Sequence, residues 1–132
     1  MPAPEDMLKK AKEMLPRAYA PYSSFHVAAC VRTDDGQLFT ACNVENSSYP
    51  LSSCAEKNAI IQAVCAGQRH ITEGLALVDS PDICSPCGMC RQCFYEFAND
   101  STLIHLCTVN GKYQCTQLKD LLPLTFRLST KE

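Results

Sequence analysis

The chain has 132 residues, of which 46% are hydrophobic, enough for one core that needs no disulfide framework. We therefore expect residues 1–132 to form a single domain. Charges of both signs are spread along the chain and sum to a net charge of -2, so no basic stripe indicates a nucleic-acid polymer as a partner.

Residues 1–15 mix acidic and basic side chains and contain no uninterrupted apolar run. This composition argues against a secretory signal peptide and against a membrane span. We expect a cytoplasmic protein without a membrane partner. In that reducing compartment, the 10 cysteines indicate metal binding or simple burial rather than disulfides.

In chain order, the first predicted elements are a helix and a hairpin. Apolar residues at helical spacing predict a helix over residues 5–20, which Pro16 should kink or end early. Two apolar runs, 25–32 and 38–43, predict strands, and the Asp-Asp-Gly sequence at 34–36 is typical of a hairpin turn.

The middle of the chain predicts a helix followed by a buried strand. Ser53 can cap a helix over residues 54–66, and Gly67 stands where a left-handed residue closes a helix. The short apolar run 75–79 then predicts a strand.

The last third of the chain predicts a further helix and another hairpin. The helix covers residues 87–98 and is introduced by Ser85 and Pro86, which should cap its start. Five strands interleaved with helices predict an α/β fold, with one mixed sheet and helices on both faces. The hairpin consists of strands over residues 102–109 and 113–116, which flank an Asn-Gly turn. A short helix over residues 118–122 follows it.

Three cysteines stand at predicted helix starts. Cys87 and Cys90 form a CxxC pair whose spacing places both thiols on one side of a first helical turn, and Cys54 begins the upstream helix. The positive end of a helix dipole favours the thiolate that zinc requires. Three protein ligands leave the fourth tetrahedral position for water, as in a catalytic zinc site.

The other cysteines leave alternatives open. Cys84 and Cys93 each lie three residues from a member of the CxxC pair, so a closed four-cysteine site or a set of buried free thiols competes with the catalytic site. A CxxC pair can also be a redox dithiol. The remaining cysteines occupy apolar strand or helix positions and are expected to be small core residues: Cys30, Cys42, Cys65, Cys107 and Cys115.

Glu56 follows Cys54 by two positions. A glutamate in the first turn of a helix is ordinarily a favourable partner of the helix dipole and nothing more. Residues two apart on a helix do not face each other, so these side chains converge only if a metal lies off the helix end. With zinc there, the Glu56 carboxylate can carry protons between a water molecule and a leaving group.

These motifs carry a family resemblance. Residues 54–56 and 86–90 match the signature C/H-x-E…P-C-x-x-C of zinc nucleobase deaminases. Further stretches make the chain similar to the small, homotetrameric cytidine deaminases of pyrimidine salvage: YAPYSSF at 19–25, CNVEN at 42–46 and CRQ at 90–92.

The resemblance implies a fold, an activity and an assembly. The family has a five-stranded mixed sheet flanked by helices, one Zn²⁺ per chain held by three cysteines, and a homotetramer whose active sites are completed by neighbouring subunits. The implied reaction is the hydrolytic deamination of cytidine and 2′-deoxycytidine to uridine and 2′-deoxyuridine, with release of ammonia.

The resemblance also implies substrate contacts. It places Asn43 and Glu45 on the ribose 3′-hydroxyl and Phe25 on the pyrimidine. It places the backbone of Ala55 on the base carbonyl, and Phe126 against the base bound in a neighbouring subunit. The expected substrate is a small-molecule nucleoside, because no interleaving of aromatic and basic residues offers a path for a single-stranded nucleic acid.

Two charged residues lie beside the motifs. Lys57 stands where the family commonly has arginine, so it keeps a charge beside the thiolates but loses bidentate geometry. Arg91, directly after the last cysteine ligand, is expected either to supply charge around the zinc thiolates or to form a surface salt bridge.

Two rival functions are also compatible with the sequence. A deaminase of the same fold acting on blasticidin S, a free base or a modified nucleoside is the enzymatic rival, and Asn43 and Glu45 argue against it. A structural zinc or dithiol module is the non-enzymatic rival, favoured if Glu56 is dispensable and Cys84 or Cys93 binds the metal.

Overall fold

Five strands form one sheet in the computed structural model, which describes residues 2–129. β3 and β4 are parallel, and every other neighbouring pair is antiparallel. The predicted five-stranded mixed sheet is therefore confirmed. In the order β2-β1-β3-β4-β5, the strands are β1 (Val27–Thr33), β2 (Leu38–Cys42), β3 (Ile71–Val78), β4 (Leu103–Thr108) and β5 (Tyr113–Gln117).

Four α-helices and two short 3-10 helices accompany the sheet. None of the helices in residues 2–129 has the length and apolarity needed to cross a membrane. The 3-10 helices cover Leu15–Arg17 and Tyr49–Leu51, and the second of these has no counterpart among the predicted elements. The α-helices are α1 (Glu5–Met14), α2 (Ala55–Cys65), α3 (Gly88–Phe97) and α4 (Leu118–Leu121).

The alternation of side chains along β1 builds a core on each face of the sheet. Ala28 and Cys30 pack on the face that α1 covers. Val27, Ala29 and Val31 point to the opposite face, where α2 and α3 pack. Because successive strand residues point to opposite sides, one apolar run serves both layers. Helices on both faces of the sheet are thus confirmed.

α1 ends where Pro16 prevents its continuation. The helix stops at Met14 instead of reaching residue 20, and Pro16 lies in the 3-10 helix that follows. Proline has no N–H to donate and its ring clashes with the preceding turn. Met7 and Ala11, one turn apart, are fully buried against the sheet.

α2 and α3 begin without the serine caps that the sequence predicts. Cys54 and Cys87 are the N-cap residues, and neither makes a side-chain capping hydrogen bond. The Ser53 hydroxyl is donated to a side chain inside α2, and the Ser85 hydroxyl accepts a hydrogen bond from Arg91. The predicted caps are wrong because both hydroxyls are engaged elsewhere.

The predicted glycine, Gly67, closes α2, whose last residue is Cys65. Gly67 has a φ of 95°, and its amide donates to the carbonyl oxygen of Val64 at 3.0 Å. The amide of Gln68 donates to the carbonyl oxygen of Ala63, also at 3.0 Å. These two bonds form a Schellman motif, which satisfies the last carbonyls of the helix.

β3 is longer than the sequence predicts, because it begins at Ile71 rather than at residue 75. Glu73 breaks the apolar run, yet it pairs with Arg32 of β1 and Leu103 of β4. Its carboxylate forms an ion pair with Arg32 and a hydrogen bond with His105. A charge held between two partners can occupy a central strand, which periodicity alone does not reveal.

The expectation of buried cysteines outside the CxxC region is correct for two residues. Cys30 and Cys107 are buried, and Cys42 is half-buried. Cys65 and Cys115 are exposed, so the prediction of core positions is wrong for them. Cys65 is the last residue of α2, and Cys115 lies on the edge strand β5, where one neighbour is missing.

The strand directions bring several chain segments to one edge of the sheet. β2 and β3 point the same way because each is antiparallel to β1. Their carboxyl ends therefore meet the start of β1. α2 follows β2 in the chain and α3 follows β3, so both helices begin at this edge. In open α/β sheets, such an edge is the usual place for a ligand.

Candidate active site

The three cysteines predicted to bind zinc converge at this edge. Their sulfur atoms all lie within 4.8 Å of one another, and the Sγ atoms of Cys54 and Cys87 are 3.9 Å apart. Two sulfurs bound at about 2.3 Å to a tetrahedral zinc are about 3.8 Å apart, so Cys54, Cys87 and Cys90 fit that metal. Residues 2–129 contain no second such group of His, Cys, Asp and Glu side chains.

The environment of these thiols favours a thiolate. The pKa of Cys54 is lowered because Cys90 and Cys87 donate hydrogen bonds to its thiolate, and the Lys57 charge acts in the same direction. The pKa of Cys90 is raised because its proton is held by Cys54. A metal cation takes the place of such shared protons when cysteines become ligands.

Cys84 and Cys93 lie outside the group of converging sulfurs. The Cys84 thiol donates to the carbonyl oxygen of Asp82 at 3.5 Å. Burial raises the pKa of the Cys93 thiol, which favours its neutral form. These observations favour a three-cysteine centre over a closed four-cysteine site.

Glu56 is almost completely buried beside the cysteines, with 7% of its surface exposed. Burial and, to a smaller extent, the negative charge of Cys54 raise the pKa of Glu56 to about 7. A carboxyl group that titrates near neutral pH can both accept and donate a proton under ordinary conditions. A surface glutamate that only complements the helix dipole would not be buried in this way.

A cavity of about 230 Å³ opens beside the cysteines. Larger surface hollows, up to about 510 Å³, lie elsewhere, so chemistry rather than size marks this one. Val27, Ser52 and Ser53 also line it, and none of them is among the predicted site residues. Their only sequence signal is their position beside motif residues. The predicted residues in its wall are Phe25, Asn43, Glu45, Cys54, Ala55, Glu56 and Cys87.

Asn43 faces the cavity while its carboxamide is partly engaged by the backbone. The side-chain amide donates to the carbonyl oxygen of Phe25 at 2.8 Å, and the side-chain oxygen accepts from the amide of Val27 at 3.0 Å. One N–H and one lone pair remain available. Asn43 therefore fixes the start of β1 and keeps hydrogen-bonding capacity toward the cavity.

Glu45 binds a neighbouring loop. One carboxylate oxygen accepts hydrogen bonds from the amides of Tyr22 and Ser23, at 3.0 and 3.1 Å, and the other accepts the Ser23 hydroxyl proton. The Ser23 hydroxyl lowers the pKa of Glu45, and the two amides add to this effect. Glu45 is therefore a charged acceptor held in place at the cavity wall.

Lys57 and Arg91 have different surroundings. Lys57 is half-buried and pairs with no carboxylate in residues 2–129, and its charge acts on the Cys54 and Cys93 thiols. Arg91 donates to the carbonyl oxygen of Pro86 at 2.7 Å and to that of Leu121 at 2.9 Å. A third donor reaches the Ser85 hydroxyl. Arg91 thereby joins the loop before the CxxC pair to α4.

Phe126 does not line the cavity of its own chain. Its side chain is 65% exposed, and its carbonyl oxygen accepts a hydrogen bond from the Gln92 side chain at 2.8 Å. The next residue, Arg127, lies over the ring of Tyr95 at 4.8 Å from the centroid. The C-terminal segment is thus fastened to α3 while the Phe126 ring projects outward.

The sequence of the chain matches one protein family. Residues 1–106 match the family described as the cytidine and deoxycytidylate deaminase zinc-binding region. The chain belongs to this family. It is accordingly a zinc enzyme of the deaminase type, and Zn²⁺ is its cofactor.

Individual relatives agree with this assignment. The chain is 37% identical to a cytidine deaminase from Sporosarcina psychrophila, over 92% of this chain and 90% of the relative. It is 32% identical to a blasticidin-S deaminase from Bacillus cereus, over 92% of this chain and 90% of that relative. A crystal structure of cytidine deaminase from Burkholderia pseudomallei superposes with a TM-score of 0.89 and 36% identity, covering 94% of this chain and 99% of that one.

Proposed function

We propose that this protein hydrolyses cytidine and 2′-deoxycytidine to uridine and 2′-deoxyuridine, releasing ammonia, in pyrimidine salvage. The observation that carries the proposal is the burial of Glu56 in a cavity wall beside three converging cysteine sulfurs. A structural zinc or dithiol module has no use for such a carboxylate. The cytidine deaminases similar over nearly the whole chain support the choice of substrate.

In the proposed site, Cys54, Cys87 and Cys90 hold one Zn²⁺ per chain. Zinc supplies Lewis acidity, which makes water acidic enough to act as a nucleophile near neutral pH. Two ligands come from α3 and its N-cap and one from the N-cap of α2. The packing of these two helices on the same face of the sheet sets the distance between the sulfurs. Lys57 and Arg91 act around this centre, Lys57 through its charge and Arg91 by holding the loop before Cys87.

Glu56 moves the protons in this proposal. It accepts a proton from the attacking water and donates one to N3 of the cytosine ring, which makes C4 electrophilic. A bond then forms between the water oxygen and C4. Glu56 passes the second water proton to the amino nitrogen, the C4–N bond breaks, and ammonia leaves. The products are the uracil nucleoside and ammonia, so all atoms of substrate and water are accounted for.

The cavity walls supply the contacts that a nucleoside needs. Phe25, 37% exposed at the cavity, offers an aromatic face to the pyrimidine. The backbone of Ala55 contacts the base carbonyl. Asn43 and Glu45 retain unused hydrogen-bonding capacity at the cavity and bind the ribose 3′-hydroxyl. A site built around a substrate hydroxyl discriminates strongly against analogues that lack it.

The enzymatic rival is a blasticidin S deaminase, because one relative carries that name at 32% identity. The higher identity to the cytidine deaminase and the fixed carboxylate of Glu45 favour the nucleoside. A free base would leave Asn43 and Glu45 without a substrate partner, and polar groups left unpaired reduce affinity.

We further propose that the enzyme works in the cytoplasm as a homotetramer with shared active sites. Exposed apolar side chains at the C-terminal end support an assembly, because Leu124, Phe126 and Leu128 are 65% exposed or more. Such a segment is typical of a surface that contacts another chain. In this assembly, the Phe126 ring contacts the base in a neighbouring subunit.

One experiment separates the candidate functions. The purified protein is analysed for zinc by elemental analysis, and its rates on cytidine, 2′-deoxycytidine, cytosine and blasticidin S are followed by ultraviolet absorbance. We expect about one zinc per chain and kcat/KM at least about 10³-fold higher for both nucleosides than for cytosine. Preference for blasticidin S would support the rival enzyme, and zinc without any deamination would support the structural module.

A further inference from the structure

Ser23 lies behind two walls of the cavity without lining the cavity itself. Its hydroxyl group donates a hydrogen bond to Oε2 of Glu45, the carboxylate oxygen that the two backbone amides do not bind. The same hydroxyl oxygen accepts a hydrogen bond from the backbone N–H of Phe25 at 3.0 Å. Glu45 and Phe25 both line the cavity. One side-chain hydroxyl therefore connects the charged wall and the aromatic wall of the site.

The backbone at this point restricts how the loop can be held. Ser24, between Ser23 and Phe25, has a φ of 59°, a left-handed conformation that is uncommon outside glycine. The amide of Ser24 donates to the carbonyl oxygen of Ala20 at 3.0 Å. Such a conformation persists only where the surrounding bonds maintain it. The hydrogen bond from the Phe25 amide to Ser23 is one of them.

The hydrogen bonds at Glu45 can be counted. A carboxylate offers about four acceptor positions, and three are taken by the amides of Tyr22 and Ser23 and by the Ser23 hydroxyl. About one position remains for a donor in the cavity. The Ser23 hydroxyl has a single proton, which goes to Glu45, so its lone pairs are free for the Phe25 amide.

We infer that Ser23 is a positioning residue for nucleoside binding, acting through Glu45 and Phe25 on the ribose and the base. This inference rests on the proposed function. Loss of the hydroxyl releases one oxygen of Glu45 and the amide of Phe25 together, while Glu56 and the cysteines keep their places. Ser23 thus affects the binding of the nucleoside and leaves the proton transfers unchanged.

The test compares Ser23→Ala with Ser23→Thr in the zinc-loaded protein. We expect Ser23→Ala to raise KM for cytidine about 10-fold, the effect of losing a hydrogen bond to a charged group, with kcat within about twofold. Ser23→Thr keeps a hydroxyl and should restore KM. Ser47→Ala is the matched control, because the Ser47 hydroxyl hydrogen-bonds only the Tyr22 hydroxyl in residues 2–129, and neither residue lines the cavity.

A double-mutant cycle shows whether Ser23 acts through Glu45. In a Glu45→Gln background, Ser23→Ala should raise KM by less than it does alone, because the charged partner is already missing. Ser23→Cys, which keeps the shape and weakens the donor, replaces the alanine variant if that one fails to fold. An unchanged KM in Ser23→Ala, or an equal loss of kcat, overturns the inference. Inactive wild-type protein would instead contradict the proposed function.

Discussion

Gly74 of β3 lies directly against the ring of Phe94 on α3. A Cβ at position 74 would stand 2.6 Å from Cε1 and 2.7 Å from Cζ of that ring, closer than non-bonded carbon atoms approach each other in proteins. Phe94 is 1% exposed and belongs to the core on the α2 and α3 face. The missing side chain of Gly74 therefore lets α3, which carries Cys90, pack closely on the sheet.

We expect Gly74→Ala to lower the free energy of unfolding by about 1–3 kcal/mol, because the Phe94 ring must move or leave its rotamer. Urea unfolding of the zinc-free chain measures this without a contribution from the metal. Phe94→Leu should relieve the clash, so the double variant should lose less than the sum of the single losses. If the losses of the two single variants simply add in the double variant, the clash with Phe94 is not the cause of the destabilisation by Gly74→Ala.

The three converging cysteines could be singled out from local signals. Cys54, Cys87 and Cys90 stand at helix starts that periodicity and turn residues define, and a helix start is where a thiolate is stabilised. The topology could be anticipated only in part. The meeting of both helix starts at one sheet edge depends on β1 lying between β2 and β3, which no local pattern reveals.

The unpredicted features depend on specific side-chain contacts, most of them between residues far apart in the sequence. The bond between Ser53 and Asn58 removes a cap that propensity favours, and the partners of Glu73 lie on other strands. Likewise, the role proposed for Ser23 depends on its hydrogen bond to Glu45, 22 residues along the chain. Propensity assigns each residue an average preference, so it does not show which particular side chain competes for a hydroxyl group.

Glu56→Gln tests the proton-transfer role. The variant should keep zinc and fold but lose about 10²–10⁴-fold in kcat on cytidine, because an amide can neither accept nor return the proton. Elemental analysis and steady-state assays measure the two quantities. Glu13→Gln, which changes an exposed glutamate of α1, should leave both unchanged. Near-normal turnover in zinc-loaded Glu56→Gln would contradict the mechanism.

The number of metal ligands can be counted by substitution. Alanine at Cys54, Cys87 or Cys90 should reduce zinc to well below one ion per chain, because two thiolates bind the metal far more weakly than three. Alanine at Cys84 or Cys93 should leave one zinc per chain, since neither sulfur joins the group. Loss of metal in the Cys84 or Cys93 variant would favour the closed four-cysteine site.

The ion pair between Asp6 and Arg32 should make stability depend on pH. Arg32 donates two hydrogen bonds to the Asp6 carboxylate, at 2.9 Å each, and lowers its pKa. A carboxylate whose folded pKa is depressed stabilises the protein above the unfolded value of about 3.9, and this is lost as the pH falls through the folded value.

Asp6→Asn should therefore unfold at lower urea than wild type at pH 7, and the difference should shrink as the pH falls below about 3.9. Asp100→Asn is the control, because the Asp100 side chain makes no hydrogen bond within residues 2–129. A difference that is constant with pH would mean that Asp6 contributes by packing rather than by charge.

Shared active sites can be tested by mixing two damaged chains. Phe126 is exposed and lies outside the cavity of its own chain, so its ring can act only if another subunit presents its site to it. Phe126→Ala should raise KM for cytidine, because the base loses an aromatic contact worth about 0.5–1.5 kcal/mol beyond buried area. The alternative is that Phe126 only packs onto α3.

Glu56→Gln chains carry an intact Phe126 and lack the acid/base, whereas Phe126→Ala chains carry the opposite defect. Co-refolding the two should create mixed oligomers in which some sites have both groups intact, because an inter-subunit site can be rebuilt from two damaged copies. At low cytidine concentration, we expect activity above the sum of the separate proteins. Strict additivity, with mixed oligomers verified by mass, would exclude sharing through Phe126.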